Sequence, residues 1–149
     1  LIDLRDAGLP AESVIRALDL RPHPEGGHYR EVWRDAPPQG RGSGTSILFL
    51  LKAEETSHWH RVDAAETWLW QAGGPLVLSI SPDGHDAEAT WLGPDLAARQ
   101  VLQRTVPKDA WQSAASLGHW TLVSCLVCPA FSFEGFQLAA PDWRPTPRS

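Results

Sequence analysis

The 149-residue sequence has no methionine, a single tyrosine and only two cysteines. Without a methionine, it is expected to lack residues ahead of Leu1. Two thiols cannot build a disulfide framework or a four-cysteine zinc site. Cys125 and Cys128 stand three residues apart in the apolar run Thr121–Cys128, which puts them on opposite faces of a strand and opposes both pairing and shared ligation. They are expected as two small strand residues. No apolar run reaches the ~20 residues of a membrane-spanning helix. The short, charged start Leu1–Ala7 does not resemble a secretion signal, so cytoplasmic residence is the expectation. Positive charge is also scarce: 13 Lys and Arg against 18 Asp and Glu give a net charge of -5, with the basic residues scattered. That excludes the electrostatic footprint of a nucleic-acid binder. The expected partner is a small molecule, with neither nucleic acid nor membrane.

What is present is a globular composition, 42% apolar with eight tryptophans, at a length suited to one domain over residues 1–149. Pro10–Leu18 carries Val14, Ile15 and Leu18 on one face and predicts a short helix, stopped by Arg21-Pro22-His23-Pro24. Short apolar or alternating segments follow at close intervals: His28–Trp33, Thr45–Leu51, Leu76–Ser81, Ala87–Leu92, Val101–Val106, Ala110–Ala115, Trp120–Cys128 and Phe131–Leu138. Asp35–Gly44 reads as a mobile loop and Pro141–Ser149 as a frayed tail. One helix and nine or ten short strands predict an all-β sandwich or barrel.

The stretch Ser57–Gly73 concentrates the chemistry. His58 and His60, two apart, are expected on one face of a strand, and Glu66, Trp68 and Trp70 on one face of the next. With Asp63-Ala64-Ala65 as the turn, a hairpin would set both imidazoles opposite the carboxylate in a tryptophan-rich pocket. Further candidates follow the turn Glu25-Gly26-Gly27: Tyr29 as a general acid and Arg30 for a ligand carboxylate or phosphate, against a structural reading in which these charges pair on the surface. Phe131 is a candidate wall, and His23 is expected to be structural or exposed.

His58, His60, Glu66 and Gly73 match the first motif of the cupins, G-x5-H-x-H-x3,4-E-x6-G, with one or two extra residues before the glutamate. The second cupin motif matches poorly: Pro107 aligns, Asp109 stands where a glycine belongs and Gln112 where a histidine belongs. The sequence is more closely similar to small bacterial cupins of unknown function, cupin type 5. It carries their HPEGG-type string at His23–Glu31, S-x-W-H-R-V-x-x-x-E-x-W at Ser57–Trp68, V-P-x-G-x-W-Q-A-A at Val106–Ala115 and C-x-V-x-P-G-F-x-F at Cys125–Phe133. The resemblance covers about residues 18–141 and implies a double-stranded β-helix, the cupin jelly-roll barrel, with a short N-terminal helix. It assigns no activity. Leu69, Gln71, Asp109, Cys128 and Ala130 depart from the family pattern. Asp109 either adopts the left-handed geometry of the glycine it replaces or presents a carboxylate to the pocket.

Three functions fit these residues. The first is an isomerase, epimerase or lyase with His60 and Glu66 as the acid/base pair, Tyr29 assisting, and His58, Trp68, Trp70, Arg30, Gln112 and Phe131 around the ligand. The second is a divalent-metal oxygenase using His58, His60 and Glu66 as a facial triad. Gln112 in place of the fourth cupin ligand counts against it, and no cofactor is the expectation. The third is a metabolite-binding protein without chemistry. Edge strands and the apolar segment Leu9–Leu20 predict a homodimer that covers them.

Overall fold

Residues 1–148 are described by a computed structural model of the protein. The helix α1 spans Ala11–Ala17. Eleven strands are formed among the described residues: β1 (Arg21–Pro22), β2 (His28–Arg34), β3 (Thr45–Lys52), β4 (Thr56–Val62), β5 (Ala65–Gly73), β6 (Leu76–Ser81), β7 (Glu88–Leu92), β8 (Gln103–Val106), β9 (Trp111–Ser116), β10 (Trp120–Cys128) and β11 (Phe136–Leu138). They make two antiparallel sheets, in the order β1-β2-β3-β10-β5-β8 and β11-β4-β9-β6-β7. One apolar cluster joins the two inner faces. It takes Phe49, Leu51, Trp68, Val123 and Cys125 from the larger sheet and Leu76, Leu78, Ile80, Leu92 and Ala114 from the smaller. The fold is the mostly-β jelly-roll barrel with one short helix.

The expected hairpin is not formed. β4 and β5 lie in different sheets, and the chain turns the barrel corner at Asp63-Ala64, with Ala64 buried. His60 and Glu66 therefore face each other across the barrel interior rather than along one ribbon. The expected common face of His58 and His60 is also absent. β4 pairs with β9 through Ser57↔Ala114 and His60↔Gln112, so three steps on β4 match two on β9. This bulge reverses the alternation between the histidines. Ser57 and His60 both point inward and are buried.

The bulge is supported by the turn before β2. The amide of His58 donates to the Glu25 carbonyl at 2.8 Å, replacing a ladder bond to β9. Gly26 and Gly27 have φ of +107° and +80°. A Cβ on Gly26 would strike the Thr56 carbonyl, and one on Gly27 the Leu50 carbonyl and the Phe49 ring. Only glycine lets this turn press against β3 and β4.

The N-terminal segment packs against its own barrel. Val14 and Leu20 pack on Leu50, Ala72 and Leu122 of the larger sheet's outer face, and Trp120 Nε1 donates to the Leu9 carbonyl at 2.8 Å. Val14 is fully buried, which contributes about 1.5–3 kcal/mol. Ala72 reaches this face because the β5–β10 register shifts between Trp70 and Ala72.

Two segments expected to be loose are tied down. In the Asp35–Gly44 loop, Ser43 donates its amide and hydroxyl to Asp35, and Arg41 pairs with Asp63 at 2.7 Å. In the C-terminal tail, Trp143 packs against Trp111 and Trp59, the Thr146 amide donates to the Gly84 carbonyl, and Arg148 pairs with Asp83. The last strand starts at Phe136 rather than Phe131, because a 3-10 turn occupies Phe133–Gly135. Asp109 has φ +66°, the left-handed geometry of a turn glycine.

Candidate functional site

A cavity of about 170 Å³ opens at one end of the barrel, between the two sheets. His23, Glu25, His60 and Glu66 form its polar floor; Tyr29, Phe131, Phe133 and Phe136 with Ile47, Val62 and Val127 form its apolar wall. Glu31 and Arg34 stand at the partly exposed rim, paired at 2.7 Å. They meet although three apart, because β2 bulges between Glu31 and Trp33. The three phenylalanine rings pack on one another with centroids 4.9 to 6.0 Å apart, and Phe136 lies 5.5 Å from the His60 ring.

His60 is 1% exposed. Its Nδ1 lies 2.7 Å from the His58 carbonyl, which can only accept, so Nδ1 carries a hydrogen. Its Nε2 lies 3.1 Å from Glu25 Oε2. The same carboxyl accepts a very short hydrogen bond from the Ser57 hydroxyl, and its other oxygen lies 3.3 Å from His23 Nδ1. The His23 Nδ1 already accepts from the Glu25 amide at 3.1 Å, so the hydrogen of neutral His23 sits on Nε2. Across the barrel, Glu66 Oε1 accepts from Gln112 Nε2 at 3.0 Å, and Gln112 Oε1 accepts from Trp68 Nε1 at 2.7 Å.

Burial governs the protonation of this floor. It pushes the Glu25 carboxyl up to about 8, against the Ser57 hydrogen bond. It pushes Glu66 up to about 7, with His60 opposing and Glu25 reinforcing the shift. It pushes His23 down to about 4, helped by His60, and lowers His60 despite the nearby Glu66 carboxylate. It also raises the Cys125 thiol, beside Glu66. The Glu25–His60 contact has the distance of an ion pair, yet burial drives both partners toward their neutral forms.

Of the residues singled out in the sequence, His60, Glu66, Tyr29 and Phe131 line the cavity. Gln112 lies behind Glu66 and orients it. Trp68 is 1% exposed and belongs to the core below the floor, not to the cavity wall. Trp70 packs on the same core and donates Nε1 to the Gly74 carbonyl, away from the cavity. Arg30 lies on the exposed face of β2. His58 is turned out of the barrel by the β4 bulge, with Nε2 2.8 Å from the Ala140 carbonyl.

The triad His58, His60 and Glu66 is therefore not assembled, and no group of three His, Cys, Asp or Glu among the described residues is poised to hold a metal ion. Both functional atoms of Gln112 are engaged by Trp68 and Glu66, so it offers no fourth ligand. The residues present do not fit the metal centre that cupin motifs suggest.

The spacing argument missed Glu25 and His23. Both lie in the string His23–Glu31, but Glu25 reads there as part of a glycine turn, and its carboxyl enters the barrel only through the tertiary contact of that turn with β4. Arg34 and Phe136 were equally unmarked.

A family model described as "Cupin superfamily (DUF985)" matches residues 12–139. A structure of a Shewanella oneidensis protein is 38% identical, covering 89% of this chain and 85% of that one, with a TM-score of 0.83. A hypothetical protein from Leishmania major is 32% identical, covering 91% and 90%, with a TM-score of 0.81. A variant of Bacillus subtilis oxalate decarboxylase shares the fold at 18% identity and a TM-score of 0.63, over 82% of this chain and 30% of that one. No curated protein matches the chain. A jelly-roll barrel with a small-molecule-sized cavity, matched along most of its length by one family model, belongs to the DUF985 family of the cupin superfamily.

Proposed function

We propose that this protein binds a small molecule in the barrel and moves a proton on it, the chemistry of an isomerase, epimerase or lyase, with His60 and Glu66 as the acid/base pair. The observation that carries this reading is the placement of Glu66, pushed up to about 7, across the floor of the cavity from the buried imidazole of His60. A carboxyl near neutrality exchanges protons in both directions at little cost, which suits general acid/base work. The aromatic wall excludes water from the reacting atoms and offers a face for a planar occupant. The volume suits a molecule of about ring size, since an engineered cavity of ~150 Å³ accommodates benzene.

The test has two stages. Thermal-shift screening against a panel of small carbonyl, hydroxy-acid and sugar metabolites identifies occupants. Those that bind are then incubated with the protein in deuterated water and examined by NMR for deuterium at carbon. Exchange that disappears in Glu66→Gln, with binding retained, supports the proposal. Saturable binding without exchange on any occupant favours the metabolite-binding alternative. The oxygenase alternative lacks its ligand set, because His58 faces out of the barrel.

A further inference from the structure

Resting on that reading, we propose that Glu25 is a further catalytic residue: it holds a proton against His60 Nε2 and offers it to an acceptor oxygen of the cavity's occupant, while Glu66 works as the base.

The argument starts from hydrogen-bond roles. The His58 carbonyl fixes the hydrogen of neutral His60 on Nδ1. Nε2 then presents a lone pair to Glu25 Oε2, 3.1 Å away. Two acceptors do not sit at that distance without a hydrogen between them. The hydrogen comes from Glu25, whose carboxyl is buried. The Ser57 hydroxyl donates to Oε2 and works against the neutral form, while the Nδ1 lone pair of His23 is taken up by the Glu25 amide, so neutral His23 brings no cation to the carboxyl. Among the described residues no Lys or Arg pairs with this carboxyl; Arg34, at the rim, is committed to Glu31 and to the Phe131 carbonyl. Burial raises the proton affinity of both carboxyls. The two carboxyls differ in their partners: Glu25 faces a lone pair of His60 and holds a proton against it, whereas Glu66 accepts from Gln112 and is left as the acceptor.

The step balances. A carbonyl compound bound with its oxygen toward Glu25 loses a proton from the adjacent carbon to the Glu66 carboxylate. The C–H electron pair becomes the C=C bond, and the C=O π pair takes the Glu25 proton to form O–H. Glu25 becomes a carboxylate and Glu66 an acid, so total charge is unchanged. His60 can return a hydrogen bond to the new carboxylate only by moving its hydrogen to Nε2 or taking a second one, which makes it the sensor of the Glu25 proton. The occupant class is therefore a small carbonyl compound bearing a C–H next to the carbonyl.

The test reads His60 directly and needs no ligand. The titratable and charged groups facing the pair are His23, Tyr29 and the Glu31–Arg34 pair, Glu66 on β5 with Cys125 behind it, and His58 on the same strand. Nitrogen-15 NMR of histidine-labelled protein, assigned with His23→Gln and His58→Gln, reports the tautomer of His60 at pH 6.5 and its change up to pH 9.5. The expected result is hydrogen on Nδ1 with an unprotonated Nε2 at pH 6.5, then a step on alkalinisation that is lost in Glu25→Gln and kept in Glu66→Gln. Hydrogen on Nε2 at pH 6.5 in the unmodified protein would overturn the proposal without any variant. So would a step that survives Glu25→Gln or disappears in Glu66→Gln. The reading of the cavity as a proton-transfer site fails separately, by absence of deuterium exchange on every bound occupant.

Discussion

Ser57 and His60 point to the same side of β4 although they stand three positions apart, and both meet the same oxygen of Glu25. A regular strand would have turned one of them out of the barrel. The bulge that brings them together also exports His58, so one irregularity assembles the buried carboxyl site and dismantles the metal triad.

Stability should fall as pH rises from about 6.5 to about 8. Glu25 and Glu66 have folded-state pKa values raised above the ordinary 4.5, so the folded chain binds more protons than the unfolded one between about 4.5 and 8. Their contribution is complete below 4.5 and is lost through that window. His23 and His60 are lowered and work oppositely, gaining stability as pH rises toward 6.5. Above 6.5 the carboxyls dominate, and the loss is roughly 2–3 kcal/mol. Urea midpoints at pH 6.5 and 8.5 check this. Equal midpoints would mean that neither carboxyl is neutral in the folded protein.

Trp68→Phe should cost about 1–3 kcal/mol beyond its packing loss, because the buried Gln112 Oε1 loses its donor. Trp70→Phe should cost less, since the Trp70 indole is only half-buried and its partner, the Gly74 carbonyl, also accepts from the Thr121 hydroxyl. Paired urea denaturation distinguishes them. Equal costs would sink the claim that Gln112 depends on Trp68.

Protein purified without chelator should carry no stoichiometric iron, manganese, nickel or zinc after gel filtration, and His58→Ala should leave its ligand binding unchanged. Elemental analysis decides the first clause, and calorimetry with an occupant found by screening decides the second.

We expect a two-fold dimer in solution, by a different surface from the N-terminal segment. Trp33, Ser46, Leu126 and Thr67 form one row across neighbouring strands of the larger sheet, and Trp33 and Leu126 are 49% and 38% exposed. A second copy of the chain would cover such a row. Sedimentation velocity should show the dimer, and Leu126→Glu should shift it to monomer. A monomer at high micromolar concentration would reject the expectation.

The barrel itself was legible because its signals are local. Alternation marks the strands, Gly and Pro mark the turns, and four ordered motifs lie at family spacing. His60, Glu66, Tyr29 and Phe131 fall at motif positions, and all four line the cavity. The errors came from register. Period-two counting placed His58 beside His60, but a bulge sits between them, and bulges leave no mark in residue spacing. A two-residue corner at Asp63-Ala64 reads identically whether the next strand pairs with the last or crosses to the other sheet. Glu25 was hidden because a carboxylate beside two glycines reads as a solvated turn until the fold buries it.

The docked tail has an optical consequence. Trp143 lies 4.5 Å from Trp111 and 6.1 Å from Trp59, ring centroid to ring centroid. Indoles that close share their excited states, so the trio should produce a paired exciton band in circular dichroism near the indole absorption. That band belongs to residues from three separate parts of the chain. It would vanish when the tail lifts, while the backbone signal of the barrel persisted, giving a spectroscopic clock for one local event within an otherwise intact fold.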